Sequence, residues 1–244
     1  MHLDVTTIKI VAIHQPNFLP WLGFFNKIIQ SDTFILFDDI QFPKTGGGVW
    51  TNRHYFLDNG IKKWHTVAIS RNFSGSKKIN EIKLAPDINW REHYLKKITH
   101  SYSKAKYFSE TYQFLEQSLD YETEFLCDLN IHLIYAVLSA LDISNTSLVK
   151  SSSLLKSGSS NELLCSLTKA VGANIYLSGG GADGYMDESV FTSNEINIVY
   201  QNYNLVGYSQ INSNEFVPGL TIIDAMMNCG FKETKKLVYG AHLV

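Results

Sequence analysis

The stretch Ile8-Lys9-Ile10-Val11-Ala12-Ile13-His14-Gln15-Pro16-Asn17-Phe18-Leu19-Pro20-Trp21-Leu22-Gly23 decides the fold. An apolar, β-branched run ends in an imidazole and an amide, and two prolines then impose a rigid turn. Lys9 to Ile13 reads as a buried strand. After the turn, Trp21-Leu22, Phe24-Phe25 and Ile28-Ile29 recur at helical spacing, and Ser31-Asp32 breaks the helix before a second apolar run, Thr33 to Phe37. Strand, helix, strand opens a parallel βαβ unit, and such proteins place their chemistry at the carboxyl ends of the strands. His14 stands at one of those ends.

Outward from this unit, Asp38 to Gly48 is rich in turn formers, Lys62 to Ser70 reads as a strand, and the polar segment Asn72 to Lys78 as a mobile surface loop. Helical periodicity then covers Asp87 to Ser101, Tyr107 to Leu119 and Glu122 to Leu141. The last third returns to alternation. Ser147 to Lys150 is a strand, Ser160 is placed to cap a helix, and Ala173 to Leu177 and Ile196 to Tyr200 are strands. Thr221 to Asn228 reads as a short helix ended by Gly230, with a tail beyond it. The expectation is an α/β fold with a mostly parallel sheet flanked by helices: one domain over 1–244, carrying a helical lobe or insert at 87–142.

The 244 residues are 45% hydrophobic and 18% charged, the composition of a globular chain long enough to bury a core. A formal net charge of -2 gives no general attraction to nucleic acid or an anionic membrane. Cys127, Cys165 and Cys229 are odd in number and lack CxxC spacing, which argues against a disulfide framework or a cysteine zinc site. No leader pattern opens the chain and no apolar run approaches the ~20 residues a transmembrane helix needs. A cytoplasmic protein is expected.

Three strands end in unusual polar groups: His14-Gln15, Asp38-Asp39, and Ser178-Gly179-Gly180-Gly181-Ala182-Asp183-Gly184-Tyr185. In one parallel sheet these ends would share an edge. His14 suits a general acid, a general base or an activator of a nucleophile, since an imidazole titrates near working pH; the bland reading is a histidine that locks the His-Gln-Pro turn. Asp38 and Asp39 suit a divalent cation carrying a sugar diphosphate, or a polar contact to an amine or hydroxyl, although Asp at a strand end commonly caps a turn. Asn52-Arg53 offers an amide and a planar fork for phosphate or carboxylate. Gly179, Gly181 and Gly184 match GxGxxG, but Met186-Asp187-Glu188 is a poor helix start, so a Rossmann cofactor site is not expected. The loop instead permits close approach of backbone to a ligand, or is simply a tight turn. Asp224, on an otherwise apolar helix, needs a partner if it faces a core, and could orient His14 or an arginine. Gln210, in Tyr208-Ser209-Gln210, completes the polar set.

These residues resemble a known family. His14-Gln15-Pro16-x-x-Leu19-Pro20-Trp21-x-Gly23-x-Phe25, Asp38-Asp39-x-Gln41-Phe42 and Asn52-Arg53 are similar to the motifs of the WbqC-like protein family. So, in order, are Tyr176-Leu177-Ser178-Gly179, Tyr185, Tyr208-x-Gln210, Phe216, Leu220-Thr221-Ile222-Ile223-Asp224 and Asn228-x-Gly230. The likeness spans about residues 8 to 240. Ala68 stands where the family pattern has proline and Thr221 where it has serine, the second change keeping the hydroxyl. The resemblance implies a step in O-antigen or related surface-polysaccharide synthesis, on a nucleotide-activated or lipid-linked sugar.

The expectation from residues and resemblance together is acyl or aminoacyl transfer onto an amino sugar or its nucleotide-linked precursor. His14, Asp38 and Asp224 are the candidate catalytic residues. Gln15, Asp39, Asn52, Arg53, Ser178, Gly179, Gly180, Gly181, Tyr185 and Gln210 are the candidate substrate contacts. A thioester donor is compatible with the absence of an evident Ser or Cys nucleophile, and no tightly bound cofactor is expected. The alternatives are a glycosyltransferase using magnesium and a non-catalytic module that binds sugar nucleotides or an assembly complex. The partner expected is a small molecule, a nucleotide sugar or lipid-linked sugar, with no nucleic acid and no transmembrane segment; the sequence is silent on oligomeric state.

Overall fold

The computed structural model describes residues 7–43, 50–72, 75–86, 89–179, 186–211 and 213–240. The chain folds into two compact units, each assembled from separated segments.

The first unit takes residues 1–14, 27–37 and 145–203. Its five strands are β1 (Ile10–His14), β2 (Thr33–Leu36), β5 (Ser147–Lys150), β6 (Ile175–Ser178) and β7 (Asn197–Tyr200), in the order β5-β2-β1-β6-β7. All four pairings are parallel. The fold is α/β, with a parallel sheet flanked by helices. Parallel neighbours need crossovers, and the helices α1 (Leu22–Ile29), α5 (Ser160–Ala170) and α6 (Glu188–Ser193) lie between β1 and β2, β5 and β6, and β6 and β7 along the chain. The order runs outward from β1 to β2 and β5 on one side, and from β6 to β7 on the other. The reversal falls between β1 and β6. One face of the sheet packs Val11, Ile13, Ile35 and Tyr176 against Cys165, Leu167 and Phe191, with the Tyr176 and Phe191 rings stacked at 5.5 Å. The amino end of β1 is held by Asp32, whose carboxylate accepts the Ile10 amide at 2.7 Å.

The second unit takes residues 15–26, 38–144 and 204–244. It holds an antiparallel hairpin of β3 (Arg53–Asp58) and β4 (Ile61–Thr66), and the helices α2 (Trp90–Tyr102), α3 (Phe108–Leu119), α4 (Leu126–Ala140) and α7 (Ile222–Tyr239). Asn59 and Gly60, at φ 50° and 77°, form the two-residue turn whose positive φ values match the twist of a hairpin. Asn130 on α4 is fully buried and donates to the Pro16 and Thr51 carbonyls at 2.9 and 2.7 Å, fixing the Pro16 turn against the strand entry. Among the described residues no helix is long and apolar enough to cross a membrane.

Four details correct the sequence reading. The strand Arg53–Asp58 was hidden because its inward residues include His54, which breaks the apolar alternation. Ser160 is the first residue of α5 and Ser159 holds the capping position, without a side-chain bond. A helix does follow Met186, since the Asp187 carboxylate accepts the Ser189 amide at 3.1 Å and caps it. Gly230 bends α7 instead of ending it: at φ 75° and ψ 171° it leaves the helix locally, and the tail then continues helical to Tyr239. A Cβ at Gly230 would stand 2.8 Å from the Tyr107 ring, so glycine is required twice over.

Candidate functional site

In the first unit the switch in strand order brings the carboxyl ends of β1 and β6 side by side. The ladder runs to Ala12 paired with Leu177, and the chain continues from there to Ile13-His14 on β1 and Ser178-Gly179 on β6. His14 and Gly179 are partly exposed, whereas Ser178 is fully buried. Open parallel sheets bind ligands at the mouth of such a reversal, because the chain diverges there and leaves a crevice.

A residue that the sequence reading passed over lies at the same place. Lys27 on α1 is 4% exposed, and its ammonium donates to the Ile13 carbonyl at 3.1 Å. Desolvation pushes its pKa down to about 8. A Cβ built on Gly179 would stand 4.0 Å from Lys27 Nζ, with nothing else that close among the described residues, so the amine faces a position without a side chain. The signal was present in α1 itself. Leu22 to Ile28 is apolar except for Gly23, Asn26 and Lys27, and a helix apolar on all sides is buried together with its polar residues.

The remaining predicted residues belong to the second unit. Asp38 is 2% exposed, and its carboxylate accepts Asn80 Nδ2 at 3.4 Å. Asp39 is partly buried beside it in the chain. Gln15 Oε1 accepts the Thr51 hydroxyl at 3.3 Å, and Asn52 Nδ2 donates to the Val67 carbonyl at 3.1 Å. The Arg53 guanidinium lies 4.1 Å from the centre of the Trp64 ring, which stacks on Tyr55 at 3.6 Å; Lys62 stands 4.5 Å over Tyr55. Two cations thus close the outer faces of an aromatic pair.

Asp224 is fully buried and saturated. Oδ2 accepts Tyr102 Oη at 2.8 Å, and Oδ1 accepts Tyr208 Oη at 2.7 Å and Gln210 Nε2 at 2.9 Å. Burial raises its pKa above the usual carboxylate range, against the opposing pull of those donors. Burial, reinforced by the same carboxylate, pushes the Tyr102 and Tyr208 phenols well up. Gln210 also exchanges two bonds with Val217, so the irregular segment before α7 is pinned to the helix start. Thr221 uses the hydroxyl that a serine would supply: it donates to the Leu19 carbonyl at 2.7 Å and accepts the Ile223 amide as the cap of α7. Past β4, the Ala68 carbonyl accepts the Ala85 amide at 3.1 Å, a bond indifferent to the missing proline ring.

The structure therefore places the neighbouring strands that end at His14 and Ser178 in the first unit, with Gly179 directly after the second. It groups Asp224 with Gln210 in the second, where Gln15, Asp38, Asp39, Asn52 and Arg53 also lie. Gly180, Gly181 and Tyr185 fall outside the described residues. The model of the WbqC-like protein family matches residues 15–236. A curated protein of Mycobacterium tuberculosis, described as uncharacterized protein Rv1507c, is 31% identical over 235 residues, which cover 95% of this chain and 99% of that one. No solved structure gives a significant match. On nearly its full length, the chain belongs to the WbqC-like protein family.

Proposed function

We propose that this chain is a group-transfer enzyme of surface-polysaccharide synthesis, moving an acyl or aminoacyl group onto an amino sugar or its nucleotide-linked precursor. The observation that supports it best is the adjacency of β1, which ends at His14, and β6, which leads into Gly179, where the strand order reverses. That crevice offers a proton acceptor next to backbone that a ligand can approach closely.

In this reading the sugar amine attacks the carbonyl carbon of a thioester. The N–C bond forms as His14 takes the amine proton, and the C–S bond then breaks as the thiolate leaves and receives that proton. The Gly179 backbone amide serves the oxyanion. Asp224 acts as a positioning residue: its oxygens are occupied, and it holds Tyr208 and Gln210 in place.

The test is turnover by the purified protein, read by mass spectrometry, with amino-sugar nucleotides and acyl or aminoacyl thioesters. Acylated sugar formed at the same rate with and without EDTA, and lost in His14→Ala, is the expected result. Glycosyl transfer abolished by EDTA and restored by magnesium would replace this reading with the glycosyltransferase one.

A further inference from the structure

The switch point of the first unit holds a cation for which no carboxylate partner exists among the described residues. Lysine on a helix normally extends its stem and keeps the ammonium in water. Lys27 does the opposite. It lies within the fully buried run Leu22 to Ile28, and of the three donors an ammonium carries, the bond to the Ile13 carbonyl uses one. A residue needed only to fill that space would be Leu or Met, because burying a charge without a counter-charge is costly.

Three features of its surroundings say what the charge serves. The amine is anchored one residue before His14, at the carboxyl end of β1. It faces Gly179, which has no side chain to set between the amine and the end of β6. Both strands flank the reversal of strand order, where open sheets bind anionic ligands. A compact ammonium in a buried site favours a diphosphate, with two charges and several acceptor oxygens, over a single carboxylate.

We propose that Lys27 is the phosphate-binding residue of this site, taking a phosphate ester of the substrate against its ammonium while Gly179 leaves room for it. The assignment rests on the proposed reading of this crevice as the substrate site and names the chemistry it recognises. Sugar nucleotides and lipid-linked sugars both carry that group. Burial of the amine, with its depressed pKa, means that a bound dianion also restores its full charge.

The test is calorimetric binding to the full chain, which needs no turnover and so is read independently of the transfer chemistry. The probes are inorganic pyrophosphate, uridine diphosphate, farnesyl diphosphate and malonate. Wild type binds pyrophosphate and not malonate, and Lys27→Met weakens binding about ten- to a hundredfold, the worth of a charge-assisted hydrogen bond. Gly179→Val keeps the amine but covers its approach, and weakens binding as strongly; among the described residues a Cβ there comes within 4.0 Å of Lys27 Nζ alone, and circular dichroism checks that each variant is folded before its binding is read. Tighter binding of uridine diphosphate than pyrophosphate assigns the nucleotide source, and tighter binding of farnesyl diphosphate the lipid source. Failure of folded wild type to bind any phosphate, preference for malonate, or unchanged affinity in Lys27→Met or Gly179→Val overturns the proposal. Loss of transfer in His14→Ala together with any of those outcomes would leave the enzyme reading standing alone.

Discussion

Acid should weaken the second unit through two histidines that its interior keeps neutral. His54 and His65 oppose each other across the β3–β4 hairpin, on the face packed against Phe18 and Tyr94, and are 0% and 4% exposed. His54 Nδ1 lies 3.3 Å from the Tyr55 carbonyl, while His54 Nε2 and His65 Nδ1 are buried without a hydrogen-bond partner among the described residues. Desolvation holds the two pKa values down, to about 4 for His54 and about 2 for His65, the latter lowered further by His54. In the unfolded chain both return to about 6.5. Between those limits the unfolded state binds more protons, so the stability present above pH 6.5 is lost as the pH falls. At pH 5 both rings are still neutral when folded, and the cost depends only on the unfolded value: about 1.5 pKa units, or about 2 kcal/mol, for each. Together they remove about 4 kcal/mol between pH 7 and pH 5, a large part of an ordinary domain's stability. Urea unfolding at the two pH values, in wild type and in His54→Leu/His65→Leu, isolates the effect. The raised pKa of Asp224 acts in the opposite direction but is common to both proteins and cancels in the comparison. Equal losses in wild type and the double variant would refute the reasoning.

Asp224→Ala leaves two phenols and an amide without their acceptor and should cost about 3–5 kcal/mol in urea unfolding; Tyr208→Phe, which removes one of those bonds, should cost about 1 kcal/mol. Gly230→Ala forces a side chain into the left-handed region and onto the Tyr107 ring, and should lower stability by at least about 2 kcal/mol by the same assay. Asn130→Ala frees the Pro16 and Thr51 carbonyls together, and should cost about 2 kcal/mol while loosening the turn after His14, seen as faster amide exchange at Phe18.

Those experiments bear on parts that the sequence disclosed unevenly. The parallel sheet was legible because β1 and β2 are buried on both faces and so read as unbroken apolar runs between turn signals. Ser147–Lys150 was found with its observed bounds. The hairpin was half lost, because its inner face is built from His54 and His65, and only the strand register shows that they meet. Gly230 looked like a helix stop, since a positive φ ends most helices; here Tyr107 packs into the bend and the chain resumes. At the candidate site, His14 was visible as an imidazole and Gly179 as the first of three glycines, each after an apolar strand. Lys27 was not, because a lysine near a helix end ordinarily signals solvent, and the buried surface of α1 had to be read as a whole. Asp224 was rightly seen to need partners, but Tyr102 comes from a helix 122 positions away, a pairing no local pattern encodes.

The central claim is that the crevice at His14 performs chemistry on a surface-polysaccharide sugar. The most direct measurement is complementation of a strain of the source organism that lacks this gene, with wild type and His14→Ala produced at equal levels and the acyl content of the surface polysaccharide read by mass spectrometry. Restoration of the acylated amino sugar by wild type and its absence with a folded His14→Ala protein is the predicted result. Full restoration by His14→Ala would contradict the account and point to a binding module instead.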